Sequence, residues 1–319
     1  MSPLPRWFEP MRAVLTDDRF SSPDWIFEPK LDGERILTYR DGPSIQMYTR
    51  NQLMANDQYP ELVEALLKQK STSYVVDGEV VAFKPGTSIG SFSRLQERMH
   101  VVHPSKKLLN DVPVLYFLFD VPFLNGIDMR SKPLLERKKK LYTSFRFGDS
   151  IRFLTHLKAN GVAYYKEACR LGWEGLIAKR IDSLYRSTRS HDWLKFKCVN
   201  EQEMVIGGYS DPEGTREEFG SLLLGYYDGN QLRFAGKVGT GFSSEILRKV
   251  ANQLKPLETK QSPFVSIAIS RRGLHWVKPK LVAQVGFSEW TDDGKLRHPR
   301  FLGLRQDKSA KQVVRESPP

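Results

Sequence analysis

Cysteine is nearly absent from this sequence: Cys169 and Cys198 are the only two in 319 residues. Two thiols do not make the disulfide framework of a small secreted domain, so the chain reads as cytosolic. Long apolar runs are missing as well. The most apolar stretch, 112-VPVLYFLFDVPFL-124, is short and is broken by Asp120 and two prolines, so it does not read as a membrane span. The opening MSPLPRWFEPMRAVL has no continuous apolar core, and no signal peptide is expected. Histidine is sparse, with six residues and no H-E-x-x-H arrangement. His100 and His103 lie close together but have no third ligand near them, so no zinc site is expected. Acids are outnumbered, 37 against 49 lysines and arginines, for a formal net charge of +12. That surplus favours a polyanionic partner, most commonly nucleic acid, although a basic enzyme without such a partner has the same composition.

What is present is an ordinary globular composition, 40% hydrophobic and 27% charged, enough for two cores in a chain of this length. No repeat is evident. Strand patterns rich in β-branched and aromatic residues lie at 25–30, 35–40, 44–49, 73–83, 112–120, 175–180 and 192–197, and helical periodicity lies at 60–69, 134–145 and 161–172. This mixed order predicts an α+β domain with antiparallel sheets over residues 1–200. From 201 to 308 the texture becomes strands joined by Asp228-Gly229 and Asp293-Gly294 turns, with one helix at 243–255. That pattern fits a small β-barrel of the OB-fold class. The polar end, 308-KSAKQVVRESPP-319, is expected to fray, leaving residues 309–319 as a flexible tail.

The stretch 28-EPKLDGER-35 puts a lysine between a proline and an L-D-G turn. On a strand Glu28 and Lys30 share a face. A solvated turn can contain these residues, but so can a buried lysine whose pKa is lowered enough for nucleophilic attack. In 77-DGEVVAF-83, Asp77 and Glu79 stand on one face of an otherwise apolar strand. Burying them costs several kcal/mol unless they are paired or bind a ligand; a solvated edge strand is the alternative. In 193-WLKFK-197, Lys195 and Lys197 alternate with Leu194 and Phe196, the period of a half-buried strand. Phe119, alone on an apolar strand, reads as core.

The segment K-x-D-G-x-R at Lys30–Arg35 resembles the signature of the covalent nucleotidyltransferases: DNA ligases, RNA ligases and capping enzymes. The companions follow in order: 77-DGEVVAF-83, 119-FDVPFLNG-126, 174-EGLIAKR-180, 193-WLKFK-197 and 297-RHPRFLGLRQDK-308. In finer grain, 206–242 and 276–308 resemble the ligase domain of bacterial end-joining ligases of the ligase D type, an ATP-dependent DNA ligase. The resemblance implies an adenylation (nucleotidyltransferase) domain followed by the OB-fold domain. It also implies roles. Lys30 would carry AMP covalently. Glu28, Arg35, Arg50, Glu79, Phe119, Lys195 and Lys197 would hold ATP or AMP, with Phe119 stacked on adenine and Gly33 permitting the turn. Glu79 and Glu174 would bind Mg2+ or Mn2+. Arg305 and Lys308 would clamp pyrophosphate, and Lys195 and Lys197 would also depress the pKa of Lys30. No role for Asp32 follows.

The implied partner is nicked double-stranded DNA, in DNA repair and with non-homologous end joining as one candidate pathway; Ku or a repair polymerase is the candidate protein partner. The chain is expected to act as a monomer, either a stand-alone ligase or a domain excised from a larger chain, in the bacterial cytoplasm, associated with the nucleoid and not with a membrane. RNA ligases and GTP-using capping enzymes share the lysine motif and remain the alternatives.

Overall fold

The computed structural model describes residues 3–316 except 88, 199, 213, 215, 216, 266 and 268–271. The chain divides into two compact units, the first ending at Cys198 and the second reaching Glu316.

The first unit holds two sheets. Its strands are β1 (Arg12–Leu15), β2 (Trp25–Pro29), β3 (Glu34–Asp41), β4 (Ser44–Thr49), β5 (Ser73–Ala82), β6 (Val114–Leu124), β7 (Ile127–Asp128), β8 (Ile151–Phe153), β9 (Leu157–Lys158), β10 (Gly175–Arg180) and β11 (Arg189–Lys197). One sheet runs β1-β11-β10-β2-β9; the other runs β4-β3-β5-β6-β7, with β8 beside β6. Pairings are antiparallel except β1 with β11 and β6 with β8. The helices are α1 (Pro60–Leu67), the short α2 (Phe92–Leu95), α3 (Lys106–Asp111), α4 (Leu134–Ser144) and α5 (Gly161–Arg170).

Alternation along each strand decides which face carries what. In the six-stranded sheet, Ile36, Met47, Tyr74, Val76, Val80, Tyr116 and Leu118 form a core with Leu62 and Leu66 of α1 and Leu141 of α4. Arg35, Asp77 and Glu79 therefore stand on the opposite face. In the five-stranded sheet, Phe27, Leu176, Ala178 and Phe196 pack with Ala168 of α5. That packing leaves Glu28, Lys179, Lys195 and Lys197 on its other face.

The second unit contains β12 (Asn200–Ser210), β13 (Leu222–Asp228), β14 (Gln231–Val238), β15 (Glu258–Thr259), β16 (Leu274–Val277), β17 (Val282–Phe287), β18 (Glu289–Trp290), β19 (Leu296–Arg297) and β20 (Arg300–Arg305), with α6 (Ser244–Leu254). Seven of these strands form one antiparallel sheet. β12 pairs with β13 along one edge and with β16 and β17 along the other; β20 pairs with β17, and β18 and β19 make a separate hairpin. No pairing closes this sheet into a barrel among the described residues, so what stands is a sheet unit, coarser than the barrel expected. Ser243 caps α6 by accepting from the Ile246 N–H at 3.3 Å, which fixes where the helix starts.

The tail departs from expectation. Ala310 and Val313 are buried with Val205, Leu223, Trp276 and Val282. Tyr227 N–H donates to Val313 O at 2.7 Å. Gln202 clasps the chain from both sides, donating to Val314 O at 2.9 Å and accepting from Glu316 N–H at 3.0 Å. Two apolar residues in a polar segment were enough to seat it. Residues 317–319 of the expected tail lie outside the described residues.

Candidate active site

The Lys30 loop is positioned by strand pairing. β2 runs antiparallel to β10, with Glu28 opposite Ile177 and Pro29 opposite Leu176. The pairing continues one step further, Lys30 N–H donating to Gly175 O at 2.9 Å. This sets Lys30 beside Glu174, and its ammonium is ion-paired with the Glu174 carboxylate. Burial alone would lower the lysine pKa. The Glu174, Asp32 and Glu79 carboxylates outweigh burial, and the pKa is raised. The expected depression by Lys195 and Lys197 is therefore corrected: three acids govern the amine in this structure, not two lysines.

Gly33 also plays a different part from the one expected. Its φ is not in the left-handed region, so no turn requires glycine there. A Cβ at this position would stand 2.2 Å from Val80 O. The glycine lets the lysine loop press onto β5. Asp32 accepts from the Phe92 N–H at 3.0 Å, tying the same loop to the start of α2.

Across the six-stranded sheet, Arg35 lies opposite Glu79, which lies opposite Phe117. Asp77 grips the Arg35 guanidinium with two bonds, 2.9 and 2.6 Å, and accepts from Tyr185 Oη at 2.6 Å. Of the two acids of the D-G-E strand, Asp77 is fully buried and Glu79 is half-buried. Across the other sheet, Glu28, Ile177 and Lys195 form one row, and Lys179 and Trp193 pair beside it. Lys197 lies opposite Gly175. Lys30, Glu174, Glu28, Lys195 and Lys197 are therefore brought to one place.

Glu28 is 1% exposed and ion-paired with both Lys138 of α4 and Lys179, the latter at 2.6 Å. Burial alone would raise its pKa, but the two lysines hold it below the ordinary value. Lys179 lies 4.2 Å from the Phe119 ring centre and 4.0 Å from that of Trp193. The Arg35 guanidinium also stands over Phe119, at 5.1 Å. Phe119 is 7% exposed and packs with Met11, Leu154, Tyr185 and Trp193, which matches the core reading of its strand. Phe117, on the same face, is half-buried. Arg50 lies one residue beyond β4, also half-buried.

Two family models match this chain: the ATP dependent DNA ligase domain over residues 10–197 and the ATP dependent DNA ligase C terminal region over residues 215–308. The chain belongs to the ATP-dependent DNA ligases. It is 36% identical, over 99% of its length, to the multifunctional non-homologous end joining protein LigD of Pseudomonas aeruginosa, and covers 38% of that protein. Over 96% of its length it is 33% identical to a DNA ligase of Thermococcus onnurineus, of which it covers 57%. The chain thus spans well under two thirds of these relatives. Among solved structures it resembles a mycobacterial DNA ligase D complexed with ATP and MES, with TM-score 0.68 and 34% identity, covering 97% of this chain and 98% of that one.

In the second unit the two expected clamp residues of this ligase chain have acidic partners. Arg305 makes two bonds to Asp307, at 2.8 and 2.6 Å, and Lys308 lies 3.1 Å from Glu203. Several site residues were not anticipated. Lys179 and Trp193 lay inside the motifs and could have been read as partners of their neighbours, while the pairing that a buried Asp77 needs comes from Arg35 and Tyr185. Tyr185 and Lys138 carried no such signal.

Proposed function

We propose that this chain seals 5′-phosphate/3′-OH nicks in duplex DNA through a lysyl-AMP intermediate. The observation that carries the reading is the meeting of Lys30 with Glu174 on the sheet face that also bears Lys195 and Lys197. In the first step the Lys30 amine, having lost a proton, attacks the α-phosphorus of ATP; a P–N bond forms and the bond to pyrophosphate breaks. AMP then passes to an oxygen of the 5′-phosphate, and Lys30 leaves as the amine. Finally the 3′-OH attacks that phosphorus and AMP departs. The cations Lys195 and Lys197 favour charge developing on the phosphates. Glu28, Arg35, Arg50 and Phe119 are assigned to the adenosine side, and Arg305 and Lys308 to the pyrophosphate in the first step.

The donor set suits a hard divalent cation. Glu79 and Glu174 are carboxylates that act on the same ammonium, and magnesium characteristically takes one or two carboxylates together with substrate phosphates. Bound there, Mg2+ or Mn2+ would neutralise phosphate charge. A carboxylate engaged elsewhere would hold the Lys30 proton less firmly, which the attack requires.

The adenylation domain is assigned to residues 1–200 and an OB-fold to residues 201–308. End joining with Ku or a repair polymerase, action as a monomer and a place in the bacterial cytoplasm at the nucleoid belong to the same reading; among the described residues no helix is long and apolar enough to cross a membrane. Incubation with ATP or GTP labelled at the α-phosphate tests it. Label from ATP on Lys30, none in Lys30→Ala, and sealing of a nicked duplex are expected. Labelling by GTP alone, or normal labelling of the alanine variant, would overturn it.

A further inference from the structure

The two cysteines expected to contribute no disulfide framework are bonded to each other, with their Cα atoms 5.2 Å apart. Cys169 is in the last turn of α5, and Cys198 directly follows β11. Between α5 and β10 runs a four-residue connection that ends in Glu174. Its first residues bond back to α5, Leu171 N–H to Glu167 O at 2.9 Å and Gly172 N–H to Cys169 O at 3.1 Å. Trp173 N–H donates to Ala168 O at 2.9 Å, and Cys198 N–H donates to Glu174 O at 2.9 Å. One residue on, Gly175 O accepts from Lys30 N–H. The Glu174–Gly175 segment is thus suspended between Cys198 and Lys30, and the disulfide fastens the other end of the connection, the close of α5, to that same Cys198.

We propose that Cys169 and Cys198 are a redox-sensitive clip that positions Glu174 against Lys30; the functional consequence rests on the role assigned above to that carboxylate. With the bond intact, both ends of the connection are anchored to one residue. With it broken, the bonds of residues 171–173 lead only back to the end of α5, and one hydrogen bond, Cys198 N–H to Glu174 O, ties this connection to the end of β11, in a segment whose Leu171 is 39% exposed. Partly exposed segments tied to their sheet by a single hydrogen bond open locally more readily than core strands. Both cysteines are partly exposed, so a small thiol or disulfide reaches them. Closure joins the two Sγ atoms with loss of two protons and two electrons. A low-molecular-weight disulfide takes these up through two exchanges and leaves as two thiols; an excess of thiol runs the reaction backwards.

The test uses the full chain held in oxidised glutathione or in dithiothreitol, with free thiols counted by alkylation and mass spectrometry. Amide hydrogen exchange is then followed at Lys30, at Cys198 and across residues 171–175. Exchange at these amides is expected to be roughly tenfold faster in the reduced chain, with the amides of β5 unchanged. Lysyl-AMP formation is expected to slow by about tenfold on reduction, since displacements on the order of 1 Å near reacting groups cost up to 100-fold. Cys169→Ser should match the reduced chain in both buffers; the parent chain compared in two buffers needs no variant and is independent of any folding defect. Two alkylatable thiols persisting in oxidant, equal exchange in the two states, or a serine variant that still responds to the buffer would each overturn the clip. Absence of lysyl-AMP in both states, with the exchange difference intact, would sink the ligase reading and leave the clip standing.

Discussion

Glu28→Gln discriminates between two roles for the residue two places before Lys30. In the structure Glu28 is 1% exposed, and the lysines that flank it, Lys138 and Lys179, are each 2% exposed. Glutamine keeps the shape and removes the charge. Two ammonium groups then remain in a dry site with no carboxylate between them. Breaking a buried ion pair from one side costs about 3–5 kcal/mol. In a unit of about 200 residues each kcal/mol moves Tm by about 2–4 °C, so a fall of roughly 6–20 °C is expected at pH 7. Calorimetry or circular dichroism reads it. The pH dependence has a definite sign. Because the folded pKa of Glu28 is depressed, its contribution is present above the unfolded pKa and is lost as pH falls through the folded one. The gap between parent and variant should therefore narrow below about pH 4.3. Lys138→Met in the glutamine background should recover part of the loss, with a coupling of about 0.5–3 kcal/mol. A carboxylate that served only the adenosine would behave otherwise: self-adenylylation would fail and Tm would hold. A Tm within about 2 °C of the parent, the range of an inconsequential surface change, would refute the reasoning.

Gly33→Ala should destabilise the first unit by about 1–3 kcal/mol in urea titration, because its Cβ falls on a backbone carbonyl that β3–β5 pairing holds in place; an unchanged midpoint would mean that the loop stands off from β5. Arg305→Ala should slow self-adenylylation and spare sealing of a pre-adenylylated nick, measured in parallel; equal loss of both would contradict a pyrophosphate role. Ending the chain after Lys308 removes the fully buried Val313. It should lower the stability of the second unit by at least about 1.5 kcal/mol, seen as a lower thermal midpoint, where a dispensable tail would leave the midpoint unchanged.

Strand positions in the first unit were legible because period-2 alternation survives even where one face carries the charged residues of the candidate site. The strands at 44–49 and 175–180 begin and end as the pattern suggested, and the Asp-Gly turns marked their elements by local chemistry. Three features resisted the same reading. The tail from 309 looked polar because composition counts residues, whereas Val313 needs only one hydrophobic site to be seated. The cysteine pair was invisible because 29 residues separate its members in sequence and only the β10–β11 register brings the end of β11 to the end of α5. Most instructive is α4, whose buried positions are Leu134, Arg137, Lys138 and Leu141. Their spacing of i, i+3, i+4 and i+7 is that of a helix packed on a core, yet the middle two positions are cations. Hydrophobicity alone would have turned the 136-ERKKK-140 run outward. Arg137 instead makes bonds of 2.7 and 2.8 Å to Asp120, on a strand that also carries Phe119, and Lys138 reaches Glu28. A cation at a core position requires a buried acid to meet it. The legible clue was therefore a pairing problem, not a periodicity: buried acids in the apolar strands of the ligase motifs, and a helix whose core positions hold the charges that answer them.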